Sequence, residues 1–209
     1  MYLSRLELDL TRRSTMMALA APQKFHGAIE RSFERERERQ RHLWRLDRLG
    51  GKLFVLILSE EKPDLNSMAS QFGTRNLPET RSYDPLLQRI EEGSCLRFRL
   101  RANPTKSLKD TSNSLARGKI KACGTIEEQR RWLLNHAEEH GFHVNKNSFD
   151  VTESYWCRFS KKGKQNVSIL SVTYEGVLEV TDAEKFKELL CSGIGRGKAY
   201  GMGMMTVIS

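Results

Sequence analysis

HLWRLDRLGGKLFVLILS, residues 42–59, contains two strand-like runs joined by a short glycine turn. The second run, residues 52–59, is almost continuously apolar, as is typical of a strand buried in a sheet. The glycines between the runs suit the tight turn of a β-hairpin. We therefore predict a hairpin here, and the neighbouring elements are placed around it.

Elements on either side of this hairpin complete a βαββαβ pattern. On its N-terminal side, residues 2–9 alternate like a strand, and Pro22 can open a helix that places Phe25 on its apolar face. On its C-terminal side, residues 64–72 are compatible with a short helix. The run SCLRFRLRA, residues 94–102, then alternates as a strand that closes this unit or opens the next.

The second half repeats the same order of elements. Residues 106–124 are polar, basic and poorly periodic, which predicts a long loop. Residues 126–141 predict a helix with Thr125 as its N-cap and Glu128 at capping-box spacing. Strand-like runs at 142–158 and 167–180 follow. Next come a helix that is capped by Asp182 and runs through Leu190, and a C-terminal strand in MMTVIS.

This order predicts an α+β protein made of two tandem ferredoxin-like, RRM-related βαββαβ domains with a C-terminal glycine-rich loop. We expect the domains to cover residues 1–92 and 93–209.

The composition favours a polyanionic partner. The chain of 209 residues carries 35 Lys and Arg against 26 Asp and Glu, a net charge of +9. A solvated basic surface without a specific partner remains an alternative.

No apolar run is long enough to span a membrane, so we expect no membrane association. Four widely spaced cysteines form no zinc motif and suit a reducing cytoplasm, so we expect no metal and a cytoplasmic location.

Three arginines lie on one face of the strand at 94–102. Arg97, Arg99 and Arg101 recur at every second position, about 6–7 Å apart, which approximates the phosphate spacing of a nucleic-acid strand. An exposed face used for solubility is the alternative. We favour phosphate binding because the following residues, RANPTKSLK, continue the basic patch.

The stretch GIGRGKAYGMGMM, residues 193–205, concentrates glycine near the C-terminus. It is no Walker A motif, because Ala199 follows Lys198, and no dinucleotide fingerprint, because it follows a helix and precedes a strand. Such a loop can offer backbone N–H groups to phosphates, or let the last helix pack closely on the sheet. Both interpretations can hold together.

The chain resembles the CRISPR-associated repeat RNA endonucleases, specifically the CasE-type subunits of the type I-E Cascade complex. The resemblance is carried in order by MYLSRLEL, LRFRLRANPTKSLKD, GKIKAC, YEGVLEV and the glycine stretch. It implies cleavage of precursor CRISPR RNA at the base of each repeat hairpin, without metal or cofactor. The 2′-hydroxyl would attack the phosphorus and leave a 2′,3′-cyclic phosphate and a 5′-hydroxyl. The implied partners are the repeat hairpin RNA and other Cascade subunits.

The resemblance also implies site residues. His26 stands where the family carries its catalytic histidine, and Arg31 roughly matches a basic position that would stabilise charge. Gln23 replaces a tyrosine of some relatives and cannot transfer a proton. Whether His26 acts as base, acid or both is left open. The residues expected to bind RNA are Gln23, Lys24, Arg97, Arg99, Arg101, Lys106, Lys109, Lys119, Lys121, Lys161, Lys162, Lys164, Gly195, Arg196, Gly197, Lys198 and Gly201.

Two other functional classes are alternatives. A non-catalytic tandem RRM-like RNA-binding protein is expected to carry the aromatic RNP1 signature, which this sequence lacks. A basic ribosome-associated or scaffold subunit is compatible with the composition. For the remaining histidines, His42, His136, His140 and His143, a structural role is the expectation.

Overall fold

The structure is a computed structural model that describes residues 1–33, 42–108, 119–161 and 165–208. Within these ranges the strands form two large antiparallel sheets and a separate two-stranded hairpin. Three of the lysines predicted to bind RNA, Lys109, Lys162 and Lys164, lie outside the described residues, as does the side chain of Lys161. The charged tract at 34–41 and the KKGK turn also fall outside them.

The first sheet contains four strands with helices between them. In chain order the elements are β1 (Tyr2–Glu7), α1 (Arg13–Ala20), α2 (Gln23–Glu30), β2 (Leu43–Leu49), β3 (Lys52–Ser59), α3 (Asn66–Phe72), β4 (Glu79–Ser82) and α4 (Asp84–Gln88). The order across the sheet is β2-β3-β1-β4. Phe25 and Ile29 of α2 are fully buried against this sheet together with Trp44 of β2, so the helix is fixed by its apolar face.

The predicted hairpin is confirmed. Residues Leu43–Leu49 pair with Lys52–Ser59, and Gly50 and Gly51 in the turn have φ values of 58° and 79°. Helix α1 was not predicted from the sequence. The strand that closes this sheet is β4, and it too was missed, because it is an edge strand whose side chains are mostly exposed and therefore lack apolar alternation.

The second sheet is built from the rest of the chain. Its elements are β5 (Cys95–Ala102), β6 (Thr105–Leu108), β7 (Lys119–Ala122), α5 (Ile126–Ala137), β8 (Phe142–His143), β9 (Phe149–Lys161), β10 (Gln165–Val180), α6 (Ala183–Ser192) and β11 (Met205–Ile208), with 3-10 turns at Glu138–His140 and Lys198–Tyr200. The sheet order is β11-β5-β10-β8, and β9 also pairs with β10. The capping box of Thr125 and Glu128 is confirmed, and Asp182 caps α6 as predicted.

Two predictions for this half were wrong. The predicted loop at 106–124 contains β7 and most of β6, which pair with each other and are largely exposed, so neither shows an apolar period. The single strand predicted at 142–158 is two strands, β8 and β9, both paired with β10.

Both large sheets have the same topology. The strand order is β4-β1-β3-β2 in the first sheet and β11-β5-β10-β9 in the second. In each sheet, the fourth of these strands in chain order lies beside the first, and the third lies beside the second. This is the ferredoxin-like order, so the predicted fold class is confirmed. The boundary between residues 92 and 93 stays a prediction. None of the described helices has the length and apolar character required to cross a membrane.

Candidate active site and nucleic-acid interface

His26 lies on the solvent side of α2. Its side chain is 36% exposed, but its Nδ1 atom is buried and has no hydrogen-bond partner. The exposed part of the ring is therefore the part away from Nδ1. Phe25, Ala28 and Ile29 are the buried residues of α2, and they fix the orientation of the helix.

Glu30 lies one helical turn after His26 and contacts two histidines. Its Oε1 atom is 3.7 Å from His26 Nδ1 and accepts a hydrogen bond of 3.1 Å from His42 Nδ1. The His42 ring is stacked on Phe33, with a centroid separation of 3.7 Å and an interplanar angle of 3°. Glu30 was not identified from the sequence, although its i,i+4 spacing to His26 was a usable signal.

Arg31 follows the last residue of α2 as its C-cap. Its guanidinium folds back over the helix, because Nη1 lies 3.6 Å from the position that a Cβ on Gly27 would occupy. The positive charge of Arg31 therefore lies beside Gly27, the residue that follows His26. The role of Arg31 in charge stabilisation stays a prediction.

Gln23 connects α2 to the second sheet. Its Nε2 donates a hydrogen bond of 3.2 Å to the carbonyl oxygen of Ser160 on β9, while its Oε1 is buried without a hydrogen-bond partner. The neighbouring Lys24 is exposed. The side chain at position 23 therefore joins the two halves of the chain, and its predicted contact with RNA remains untested.

The glycine-rich loop requires glycine for two structural reasons. Its five glycines between residues 193 and 203 all have positive φ values, a conformation that other residues adopt at a cost. A Cβ on Gly201 would also lie 3.0 Å from the ring of Trp44, and one on Gly195 would lie 3.1 Å from the ring of Trp132. The packing interpretation is thereby supported, while contacts between the loop and phosphates stay a prediction.

The loop also contacts the long hairpin formed by β9 and β10. Tyr200 lies against Phe159 with a ring separation of 5.1 Å, and Met202 packs with Phe159 and Ile169 in a small apolar cluster. Arg196 is exposed beside this contact, in a β-bridge with Asn103. Helix α2, the glycine loop and the hairpin are therefore neighbours around His26.

The arginine face of β5 is not uniformly available. Arg99 forms an ion pair of 2.5 Å with Glu175 on the adjacent strand, and Arg101 forms one of 3.1 Å with Glu153. Arg97 is exposed and has no ion-pair partner within the described ranges. The sequence could not reveal these pairs, since they depend on the register of β5 with strands far along the chain. RNA binding by the three arginines stays a prediction.

The β6–β7 hairpin presents the other predicted lysines. Lys119 and Lys121 are exposed. Lys106 instead forms an ion pair with Glu128, and this hydrogen bond, together with those from the backbone of Thr125 and Gly124, lowers the pKa of the Glu128 carboxyl. The ammonium group of Lys106 is therefore paired with the Glu128 carboxylate of the α5 capping box.

The other histidines lie apart from α2. The Nδ1 atom of His136 is 2.8 Å from the carbonyl oxygen of Trp132, and His143 contacts Asn145. Burial, and then the nearby His136, lower the pKa of His140. In the described part of the chain, no group of three or more His, Cys, Asp or Glu residues is arranged to hold a metal ion.

Comparison with known proteins gives consistent matches along the chain. The family model described as CRISPR associated protein matches residues 1–208. The chain is 31% identical over 220 residues to the CRISPR-associated endoribonuclease Cse3 of Thermus thermophilus, covering 99% of each. It is 28% identical over 158 residues to the Cascade subunit CasE of Escherichia coli, covering 73% of each.

Solved structures agree with these matches. The structure of Cse3 bound to a 19-nucleotide RNA aligns over 100% of both chains with a TM-score of 0.83 and 29% identity. The structure of Cse3 bound to an RNA representing a pre-cleavage complex covers 100% of this chain and 98% of that chain, with a TM-score of 0.79 and 28% identity. The family match over nearly the whole chain, together with the likeness to Cse3, shows that this protein belongs to the CRISPR-associated protein family.

Proposed function

We propose that this chain is an endoribonuclease that binds the CRISPR repeat hairpin, cleaves precursor CRISPR RNA at the base of the stem, and stays bound as a Cascade subunit. Its relatives support this, since one is named an endoribonuclease and another a Cascade subunit. The observation that carries the proposal for this chain is the His26 ring. Its side chain is 36% exposed, on a helix that contacts the long hairpin through Gln23 and Ser160.

The proposed reaction is an internal phosphoryl transfer. The 2′-oxygen next to the scissile phosphate loses its proton to a base and attacks the phosphorus, and the bond from phosphorus to the 5′-oxygen breaks. The leaving oxygen takes up a proton, which gives a 2′,3′-cyclic phosphate and a 5′-hydroxyl. Because the nucleophile belongs to the RNA, we propose no metal or cofactor for this step.

His26 and Arg31 have separate parts in this reaction. His26 transfers at least one of the protons, because an imidazole changes charge near neutral pH. The Arg31 guanidinium, folded towards Gly27, stabilises the negative charge that develops on the phosphorane.

The RNA would be held mainly by its phosphates. Lys24, Arg97, Lys119, Lys121 and Arg196 are exposed and are proposed as contacts to the backbone of the stem. An A-form helix is recognised largely through its shape and its phosphates, so a dispersed basic surface suits it. We further propose a cytoplasmic location, supported by four cysteines that are all free.

The test measures single-turnover cleavage and gel-shift affinity on the same repeat hairpin RNA. His26→Ala is expected to lower the cleavage rate by about 10²–10⁴-fold while leaving affinity nearly unchanged. His143→Ala, a histidine exposed on β8, is the control and should cleave at the parental rate.

Two further arms test the reaction class. RNA with a 2′-deoxy nucleotide just upstream of the cut should bind normally and remain uncut, and excess EDTA should leave cleavage of normal RNA unchanged. Continued cleavage of the deoxy RNA would refute 2′-hydroxyl attack. A parental protein that binds the hairpin but never cuts it would instead support the non-catalytic RNA-binding alternative.

A further inference from the structure

The carboxylate of Glu30 lies at the C-terminal end of α2, where a negative charge is electrostatically unfavourable. It is the last residue of the helix, where the unpaired carbonyl groups make the end partly negative and disfavour an acidic side chain. A hydrogen bond from His42 offsets this, and the ring of His26 lies nearby. The Glu30 Oε1 atom accepts a hydrogen bond of 3.1 Å from His42 Nδ1 and lies 3.7 Å from His26 Nδ1.

The His42 side of this arrangement is held firmly. Its side chain is only 6% exposed, its ring is parallel to that of Phe33, and it immediately precedes Leu43 and Trp44, which are buried in β2. The direction of its Nδ1 atom is therefore set by the packing of the first sheet. Through this hydrogen bond, His42 fixes one oxygen of Glu30 over the helix.

The contact between His26 and Glu30 is too long for a hydrogen bond. Its Nδ1 atom is buried without a hydrogen-bond partner, which costs roughly 1–3 kcal/mol for a polar group. A movement of about 0.7 Å would bring it within hydrogen-bond distance of the Glu30 oxygen. Catalytic hydrogen bonds are often long in the free enzyme and shorten when substrate binds.

We propose that Glu30 is a positioning residue for His26 and that His42 acts by fixing Glu30. This inference rests on the proposed function and assigns the first proton transfer. With Nδ1–H directed at Glu30, the ring keeps Nε2 unprotonated on its exposed edge, where it accepts the proton of the 2′-hydroxyl. The Glu30 carboxylate then stabilises the imidazolium ion that forms, and this ion can return the proton to the leaving 5′-oxygen.

The first test is Glu30→Gln, which keeps the size of the side chain and removes its charge. The single-turnover rate at saturating protein is expected to fall about 10- to 100-fold, the loss typical of carboxylates that orient a metal-bound histidine, with the Kd for hairpin RNA unchanged. Glu30→Asp keeps the charge on a shorter side chain and should recover part of the rate. Glu184→Gln is the matched control, because that carboxylate contacts Lys187 on α6.

A double-mutant cycle separates positioning from simple stabilisation. His42→Phe keeps an aromatic ring against Phe33 but removes the Nδ1 donor, so it should lower the rate less than Glu30→Gln does. Adding it to Glu30→Gln should cause no further loss, because His42 acts only through Glu30. Additive losses in rate, accompanied by matching losses in Tm, would mean a structural role and overturn the proposal.

Nitrogen-15 NMR of the His26 side chain supplies a readout without RNA. The neutral parental ring is expected to carry its proton on Nδ1, and Glu30→Gln should shift that population towards Nε2–H. An unchanged tautomer in this variant would count against the proposal.

The outcomes distinguish the positioning role from the proposed function. Parental rates for both Glu30→Gln and His42→Phe, with His26→Ala inactive, would overturn the positioning role alone. A parental rate for His26→Ala would remove the proposed active site itself. Loss of cleavage in EDTA with recovery on adding zinc would show that the three side chains bind a metal, which also contradicts positioning.

Discussion

Arg45 joins the two sheets and forms a buried ion pair with Asp47 on its own strand, β2, and disruption of this pair gives a quantitative test of the fold. Arg45 on β2 is 1% exposed, and all five of its N–H groups have acceptors. Two bonds of 2.8 and 2.6 Å go to the carboxylate of Asp47. The other three go to the carbonyl oxygens of Arg99 and Met204 and to the hydroxyl of Thr206, at 2.7–2.9 Å. One side chain thus connects β2 with β5, β11 and the end of the glycine loop.

We predict that Asp47→Asn destabilises the protein strongly. The change leaves the Arg45 guanidinium buried without its counter-charge. Burial already lowers the pKa of Arg45, and Asp47 is the group that opposes this. Arg99, whose Nη1 lies 3.9 Å from Asp47, adds further repulsion once the carboxylate is lost. Removing one partner of a buried ion pair costs about 3–5 kcal/mol. For a chain of this size, that corresponds to a fall in Tm of roughly 6–20 °C.

Thermal and urea unfolding followed by circular dichroism measure this loss. The control is Glu79→Gln, which breaks an exposed ion pair of 2.7 Å with Arg5 and should cost at most about 1 kcal/mol. The double change Arg45→Met with Asp47→Leu should be less destabilising than Asp47→Asn alone, because it removes both buried charges. A loss below about 1 kcal/mol for Asp47→Asn would refute the reasoning that this pair is buried and uncompensated by solvent.

Further predictions concern the glycine loop and the arginine face. Gly201→Ala should lower Tm measurably, since the position has φ of 79° and a Cβ would contact Trp44. Gly195→Ala, at an exposed site, should lower Tm less than Gly201→Ala does and should weaken RNA binding more. Arg97→Gln is expected to weaken hairpin RNA binding and to reduce the log–log salt slope by about 0.7–0.9 in gel shifts over a salt series. Arg99→Gln and Arg101→Gln should change that slope less, because carboxylates already share their charge. Equal effects from all three arginines would show that RNA displaces these ion pairs.

The parts of the fold that were predictable from sequence are those specified by local signals. The first hairpin followed from an apolar run and two glycines, and the start of α5 from the capping pair of Thr125 and Glu128. Strand β4 and the β6–β7 hairpin carry no such signal, because their side chains are mostly exposed. Their strand character comes only from backbone pairing with a partner, which a linear pattern of apolar residues does not encode.

The candidate site also combines residues that the sequence could indicate with contacts that it could not. The importance of His26 came from a family resemblance, and Glu30 was accessible from its helical spacing. The contact between Gln23 and Ser160 joins residues 137 positions apart, and the ion pair of Arg99 with Glu175 joins residues 76 apart. Contacts of this kind depend on how two sheets dock and on strand register, so neither follows from the local sequence.

The position of so much glycine near the C-terminus follows from how the site is assembled. Trp44 contacts Phe25 on one side, with ring centroids 5.9 Å apart, and faces Gly201 on the other, where a Cβ would lie 3.0 Å from the ring. Phe25 immediately precedes His26 on α2. The glycine loop of the second half therefore supports the helix of the first half through the buried ring of Trp44. A Cβ at position 201 would press on Trp44, which contacts the helix that holds His26, so we expect this glycine to serve both the packing of the loop and the geometry of the proposed active site.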